Sequence, residues 1–351
     1  MYLSTSAFIV CLAAPKPLSL TTFIRLTMHS SSILFSLFGS TLALTSPPPG
    51  ALTVGGSEGK FSTVQAAVDA LQNTTARQSI FIYSGTYEEQ VYIAKHNGPI
   101  SIYGQASDDS SYHTNTVTLS FGLSQAFNLS NDLTATLRAH SPDFNLYNVN
   151  VENTYGKGSQ AVAVSAYGTE QAYYGCKLTG FQDTLLTQRG RHYFVNTYIE
   201  GATDFIFGQY SAAWFENCDL RVPTAKQGWV TASGRNTTND GWYVINGGSV
   251  QAAPGQNVTA GAYFLGRPWR SFARAVFQNV YLSEVINPAG WAIWSTSTPN
   301  TGNVTFAEYN NTGPGASNGT RASFSQQLAE PVDITEVLGS NYTLWIDPKF
   351  L

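Results

Sequence analysis

From about residue 78 onwards the chain is a succession of short runs in which apolar and polar residues alternate, broken by Gly and Asn. SIFIYSGTYEE, VYIAK, PISIYGQ and TVTLSF come first. NLYNVNVENT, AVAVSAYG, AYYGCKLTG, HYFVNTYIEG, AAWFENCDL, GWVTASGR and AVFQNVYLSE follow at similar spacing. A period of two sends successive side chains to opposite faces of a strand, so these runs predict strands separated by turns. Asn148, Asn217 and Asn279 each precede a new apolar–polar–apolar start, as turn residues do in stacked coils. The period changes to 3.6 in only one early place. Phe61 to Asn73 (FSTVQAAVDALQN) puts Val64, Ala67, Val68 and Leu71 on one face, with Ser62 placed to cap it. This helix is expected to cover the open end of the stack. The tail from Asn300 reads as Gly/Asn/Pro-rich loop, then one or two short helices over Ser323 to Leu338, packed on the coils.

One stretch shows how the strands are arranged. CKLTGFQDTLL begins at Cys176, and TYIEGATDFIFG begins 21 residues later. Cys176 falls on Thr197, Leu178 on Ile199, Gly180 on Gly201 and Asp183 on Asp204. Repeats of about 20 to 30 residues mark solenoids. A sandwich also gives many short strands, but this register favours parallel coils. The expected fold is an all-β, right-handed parallel β-helix, with an N-terminal capping helix and C-terminal loops or short helices against the coils. Equivalent residues on adjacent coils then sit about 4.8 Å apart. Cys176 and Cys218 are two such steps apart, beyond the ~7 Å Cα separation that a disulfide tolerates. Two buried free thiols in one internal ladder are expected instead.

Composition narrows the class. Only 11% of residues are charged, against 43% hydrophobic, and the formal net charge is −4. That balance, with no basic stripe, argues against a nucleic-acid surface. Ile33 to Leu44 (ILFSLFGSTLAL) has the length of a signal-peptide core and is too short to span a membrane. A second apolar patch lies at Phe8 to Ala14, so translation from Met28 is expected. Residues 1–45 are read as leader, with a mature start near 44–51 and one β-helix domain over 51–351. Eight N-x-Ser/Thr sequons, at Asn73, Asn128, Asn236, Asn257, Asn303, Asn310, Asn318 and Asn341, fit a secreted, extracellular chain. No membrane or nucleic-acid partner is expected after the leader is removed, and a monomer is.

The same repeat supplies candidate chemistry. It sets Asp183 and Asp204 side by side among Phe181, Phe205 and Phe207. An Asp in a turn is often structural, accepting backbone hydrogen bonds. Two in one register with aromatic neighbours are a different matter. Desolvation raises a carboxyl pKa, and a like charge raises one of the pair further. Such a pair can divide the work of acid and nucleophile. Gln182 beside Asp183 and Gln160 on the preceding coil could offer amide donors to an oxyanion. Arg267, in LGRPWR, is the natural partner to keep one Asp ionised. Trp269 offers a face on which a sugar can stack, or fills a core. Trp229, Trp291 and Trp294 lie in the same half of the chain. His96, His113, His140 and His192 have no ligand-like spacing, and no Gly-x-Ser-x-Gly elbow is present. No metal and no cofactor are expected.

Seven motifs carry a resemblance: GTYEE (Gly85 to Glu89), SQAVAV (Ser159 to Val164), GFQDTL (Gly180 to Leu185), TDFIFG (Thr203 to Gly208), GWVTASGR (Gly228 to Arg235), LGRPW (Leu265 to Trp269) and EYNNTGPGA (Glu308 to Ala316). In this set and order the chain resembles a pectin methylesterase, of the fungal more than the plant branch. The resemblance implies a right-handed parallel β-helix and hydrolysis of the methyl esters of galacturonate in pectin, releasing methanol. It implies Asp204 as nucleophile, Asp183 as general acid then base, Gln160 and Gln182 as oxyanion donors, and Arg267 as the partner of Asp204. It also implies Trp269 and Thr136 (in TATL) as substrate contacts, with Gln160 and Arg267 beside them. Gln209-Tyr210 after DFIFG and Ser233 in TASGR depart from the family pattern and bear on subsite preference. Three rivals remain: a pectate lyase, which would want clustered acids for calcium; a glycosidase using the acid pair; and a solenoid that binds glycan without turnover.

Overall fold

Each turn of the chain lays down strands in three parallel sheets, of eleven, eight and seven strands. In the computed structural model, residues 43–316 and 319–351 are described. Most of the expected leader, with Phe8 to Ala14, Met28 and most of Ile33 to Leu44, lies outside the described residues, as does the sequon at Asn318. All strand-to-strand pairings are parallel, and the architecture is the right-handed parallel β-helix that the repeat predicts.

The 21-residue register holds over the coils that carry the two aspartates. Gln171 lies opposite His192, Lys177 opposite Tyr198 and Leu185 opposite Ile206. On either side the coils are longer: Leu137 pairs with Val164, and Ala212 with Trp242. The extra residues form loops outside the ladder, and the strands stay in register.

Like stacks on like inside the coils. Tyr173, Phe194 and Phe215 form a buried pile with ring centroids 4.6 and 4.8 Å apart and planes 8° from parallel. That is the strand spacing imposed on side chains. Leu178, Ile199, Leu220 and Val250 form an aliphatic ladder beside it. Cys176 and Cys218 are both buried and unbridged. Thr197 stands between them, its hydroxyl accepting from the Cys176 N–H at 3.3 Å. Each thiol donates to a backbone carbonyl, Leu146 for Cys176 and Phe194 for Cys218. Burial pushes the Cys176 thiol up to about 12.

The corner between the eleven- and eight-stranded sheets is made by one residue per coil in the left-handed region. Asn148, Gly175, Asn196, Asn217, Gly247, Asn279 and Asn310 occupy it, with φ from 48° to 68°. Gly and Asn carry the smallest penalty there. Each N–H from Asn148 to Asn279 donates to a carbonyl on the next coil, so the sharp corner leaves no orphan donor.

The three α-helices among the described residues are peripheral. The first, α1 (Val64–Asp69), is shorter than 61–73 and is capped by Thr63 rather than Ser62. Phe61 is drawn out of it by pairing with the first strand, its N–H donating to Thr53 O at 3.0 Å. At the other end the Leu71 N–H closes on Val68 O and the chain turns away. Its buried Val64, Ala67 and Val68 pack on the first coil, as a cap requires. The second, α2 (Asn131–Thr134), is one turn in the loop above the seven-stranded sheet. The third, α3 (Ile334–Leu338), has an Asp333/Glu336 capping box and lies on the eleven-stranded sheet. Within the expected helical tail, Ser325–Gln327 is instead a strand that extends that sheet by pairing with Phe306 to Glu308. Leu44, inside the expected leader, forms an antiparallel bridge with Ala106, and Thr45 O accepts from Gln105 Nε2. The folded body therefore includes residues ahead of 51.

Candidate active site

The outer face of the seven-stranded sheet carries the site. Tyr92, Arg138, Ser165, Leu186, Phe207 and Ala232 follow one another in strand register across it. Leu186, Phe207 and Ala232 form a small apolar floor separate from the interior core, with Trp269 and Trp294 against it. Above that floor lies a cavity of about 300 Å³, lined by Gln160, Gln182, Asp183, Asp204, Arg267 and Trp269 among others.

Both aspartates arrive there through unusual backbone. Asp183 leaves strand Lys177–Thr179 on the way to Leu185–Thr187, with φ 65°. Its N–H is held by Thr203 O at 3.0 Å. Asp204 lies in strand Thr203–Gly208, with φ 53°. Here the register slips: Thr203 faces Trp229 but Ile206 faces Thr231, a bulge that contains Asp204. A bulge re-aims a side chain that the pleat would otherwise point elsewhere. Gly201 makes room for it, because a Cβ at that position would lie 2.2 Å from the Phe205 Cβ.

The two carboxyls are chemically unequal. Each residue is only 6% exposed. Arg267 grips Asp204 with both arms of its fork, Nε to Oδ1 at 2.8 Å and Nη2 to Oδ2 at 2.6 Å. The guanidinium is itself flanked by the Trp229 and Trp294 rings, at 3.7 and 4.4 Å from their centroids. Bidentate pairing and ring stacking fix its plane. Asp183 has no hydrogen-bond partner for its carboxyl among the described residues. Burial, then the Asp204 charge, hold it well above the ordinary carboxyl range, with Arg267 opposing. Burial raises Asp204 too, against the hydrogen bonds and charge of Arg267. With two charge-assisted bonds to one carboxyl and none to the other, ionisation is favoured more at Asp204 than at Asp183.

Gln160 and Gln182 sit on successive coils, tied by Ala161 N–H to Gln182 O at 3.1 Å. Gln160 Oε1 accepts from Ser159 Oγ at 3.4 Å, which leaves its amide N–H groups for the cavity. Trp269 lines the cavity and leans on Phe207, ring centroids 6.3 Å apart. Gly234 admits it: a Cβ there would lie 2.4 Å from the indole.

Thr136 is not part of this surface. It is wholly buried, and its hydroxyl donates to Glu152 O at 2.9 Å, so it braces two coils. The substrate contact expected of it is corrected accordingly. Trp291 is core as well, stacked on Phe306 at 4.3 Å. Two lining residues escape the sequence reading, Gln125 and Asn131, whose side chains join through Gln125 Nε2 to Asn131 Oδ1 at 2.8 Å. The Gln125 N–H also donates to Gln160 O at 2.9 Å. Their segment is anchored by Asp132, whose carboxylate accepts from Arg138, His140 and Ser165. Those contacts hold Asp132 far below the ordinary carboxyl range, despite its burial.

Fold and site define a parallel β-helix with a paired-carboxyl cleft on its outer face. Comparison with known proteins gives the particular family. The sequence model of the pectinesterase family matches residues 52–338. A pectinesterase of Aspergillus niger is 46% identical over 327 residues, covering 92% of this chain and 98% of its own. One of Aspergillus aculeatus is 48% identical over 327 residues, covering 91% and 98%. The crystal structure of the deglycosylated pectin methylesterase from Aspergillus niger superposes with TM-score 0.82 at 41% identity, over 88% of this chain and 100% of that one. A second structure of that protein keeps an N-acetylglucosamine stub on one asparagine. The chain belongs to the pectinesterase family and is an enzyme of pectin, not a lyase, a glycosidase or a passive glycan-binding solenoid.

Proposed function

We propose that this chain hydrolyses the methyl esters of galacturonate residues in plant cell-wall pectin through Asp204 and Asp183, as a secreted glycoprotein. The observation that carries the assignment of roles is the asymmetry of the acid pair. Asp204 is clamped by Arg267 at 2.6 and 2.8 Å, while the buried Asp183 carboxyl has no hydrogen-bond partner among the described residues.

The Asp204 carboxylate attacks the ester carbonyl carbon. The amides of Gln160 and Gln182 take the oxyanion, each such donor being worth about 3 kcal/mol in related chemistry. The C–O bond to the methoxy group breaks, and Asp183 gives its proton to the departing oxygen, so methanol leaves. An anhydride joins Asp204 to the substrate acyl group. Asp183, now ionised, takes a proton from water as it attacks the acyl carbon. The anhydride bond to Asp204 breaks, which restores its carboxylate and leaves Asp183 protonated again; the freed galacturonic acid loses its proton to solvent. Trp269 stacks on a sugar ring beside the cavity.

Secretion and glycosylation rest on the apolar segment before residue 45, on the sequons and on the N-acetylglucosamine of the Aspergillus niger relative. Among the described residues no helix is long and apolar enough to cross a membrane. The activity is tested by incubating the purified chain with highly methylated pectin. Methanol release without new reducing ends or unsaturated products is expected; chain cleavage without methanol overturns the reading.

A further inference from the structure

Asn128 stands between the two cavity-lining residues that the repeat does not predict. It ends the short 3-10 turn Gln125–Phe127 as an exposed left-handed residue, φ 60°, its N–H donating to Gln125 O at 2.9 Å. Two residues on, Ser130 caps α2, which begins with Asn131. Asn128-Leu129-Ser130 is a sequon. Three of the other sequon side chains are engaged: Asn310 Nδ2 donates to Asn279, and the Oδ1 atoms of Asn73 and Asn341 accept from Asn97 and Arg191. The Asn128 side-chain amide has no hydrogen bond among the described residues. Its neighbour Phe127 is 56% exposed and touched edge-on by Tyr155, with Leu133 also exposed at 40%. This is an apolar rim beside a polar cleft, and proximal sugars would cover it.

We propose that Asn128 carries an N-linked glycan in the secreted enzyme, and that this glycan forms part of the cleft rim and restrains entry of polymeric pectin. In forming it, Asn128 Nδ2 bonds to the sugar C1 of a lipid diphosphate-linked oligosaccharide. The C1–O bond to phosphate breaks, Nδ2 loses a proton, and the lipid diphosphate leaves. The linked sugar is bulky and hydrophilic. Its root lies three residues from Gln125 and from Asn131, so it stands over the path of a polymer and not over the reacting atoms. The proposal rests on the secreted-pectinesterase reading, but glycan occupancy can be read without activity.

The test uses the full chain secreted from a glycosylating yeast, as wild type, Asn128→Gly and Ser130→Thr. Glycine fits the left-handed backbone and removes the sequon; threonine keeps both the sequon and the helix cap. Peptide mapping after glycan release in ¹⁸O-water is expected to show labelled Asp at position 128 in wild type and Ser130→Thr only. KM for polymeric pectin is expected to fall severalfold in Asn128→Gly, with kcat unchanged and with equal KM for a methylated trigalacturonate in all three. An unlabelled Asn128 in wild type overturns the proposal, and so does the same polymer KM in all three proteins. Absence of methanol release from every protein, with Asn128 labelled, counts against the catalytic reading and overturns the proposed restraint, while leaving the modification standing.

Discussion

At the residue scale, two aspartates of identical chemistry are made different by their neighbours. Arg267 supplies two bonds to Asp204 and none to Asp183. A lysine at 267 offers a point charge without the planar fork and loses the fit between Trp229 and Trp294. Arg267→Lys is expected to lower kcat about 100-fold with little change in thermal stability, measured as methanol release and Tm. Asp183 also carries a stability cost. Its folded pKa is raised, so its contribution is fully present below the unfolded value, about 3.9, and is lost as pH rises through the folded value. Asp183→Asn removes that loss and tolerates the φ of 65°. Above pH about 5 the variant is expected to melt roughly 2 °C or more above wild type, with the gap closing toward pH 3 and activity abolished. An equal gap at both ends of the pH range contradicts this. Both aspartates were legible in the sequence because they fall in the one stretch where the coil length repeats, 21 residues. Gln125 and Asn131 were not, because they reach the cavity from a loop outside the ladder. Thr136 shows the converse: a motif match does not reveal that Glu152 O takes the hydroxyl.

At the element scale, the molecule depends on corners and one bulge. The bulge at Thr203–Ile206 turns Asp204 toward the cavity, and no period-two pattern announces it. The left-handed corner is legible at Asn148, Asn217 and Asn279, but Gly175 and Gly247 fill the same place under a different letter. Asn217 isolates the backbone effect, since its side chain makes no hydrogen bond among the described residues. Asn217→Ala is expected to cost about 1 kcal/mol in denaturant unfolding, and Asn217→Gly only a few tenths. Equal losses would mean that the side chain, not φ, matters. Helix α1 shows what propensity misses. Its apolar face is right, but Phe61 pairs with the first strand, and tertiary pairing overrides a helical period.

At the scale of the whole molecule, parallel stacking turns a sequence repeat into spatial proximity. Strand spacing piles Tyr173, Phe194 and Phe215 inside and sets Asp183 beside Asp204 outside. The row from Tyr92 to Ala232 runs across the coils, as a groove for a linear polymer must. Loops of unequal length then build the cleft walls, so the coil scaffold was readable and its rim was not. The central claim is that Asp204 is the attacking group of this groove. Its most direct test is the rate of methanol release from highly methylated pectin by Asp204→Asn, at matched concentration and with the circular dichroism of wild type. Asparagine keeps the left-handed backbone and the shape, while the nucleophilic carboxylate is lost together with its ion pair to Arg267. The account predicts a fall of about 10⁴-fold or more; a correctly folded variant within tenfold of wild type would contradict it.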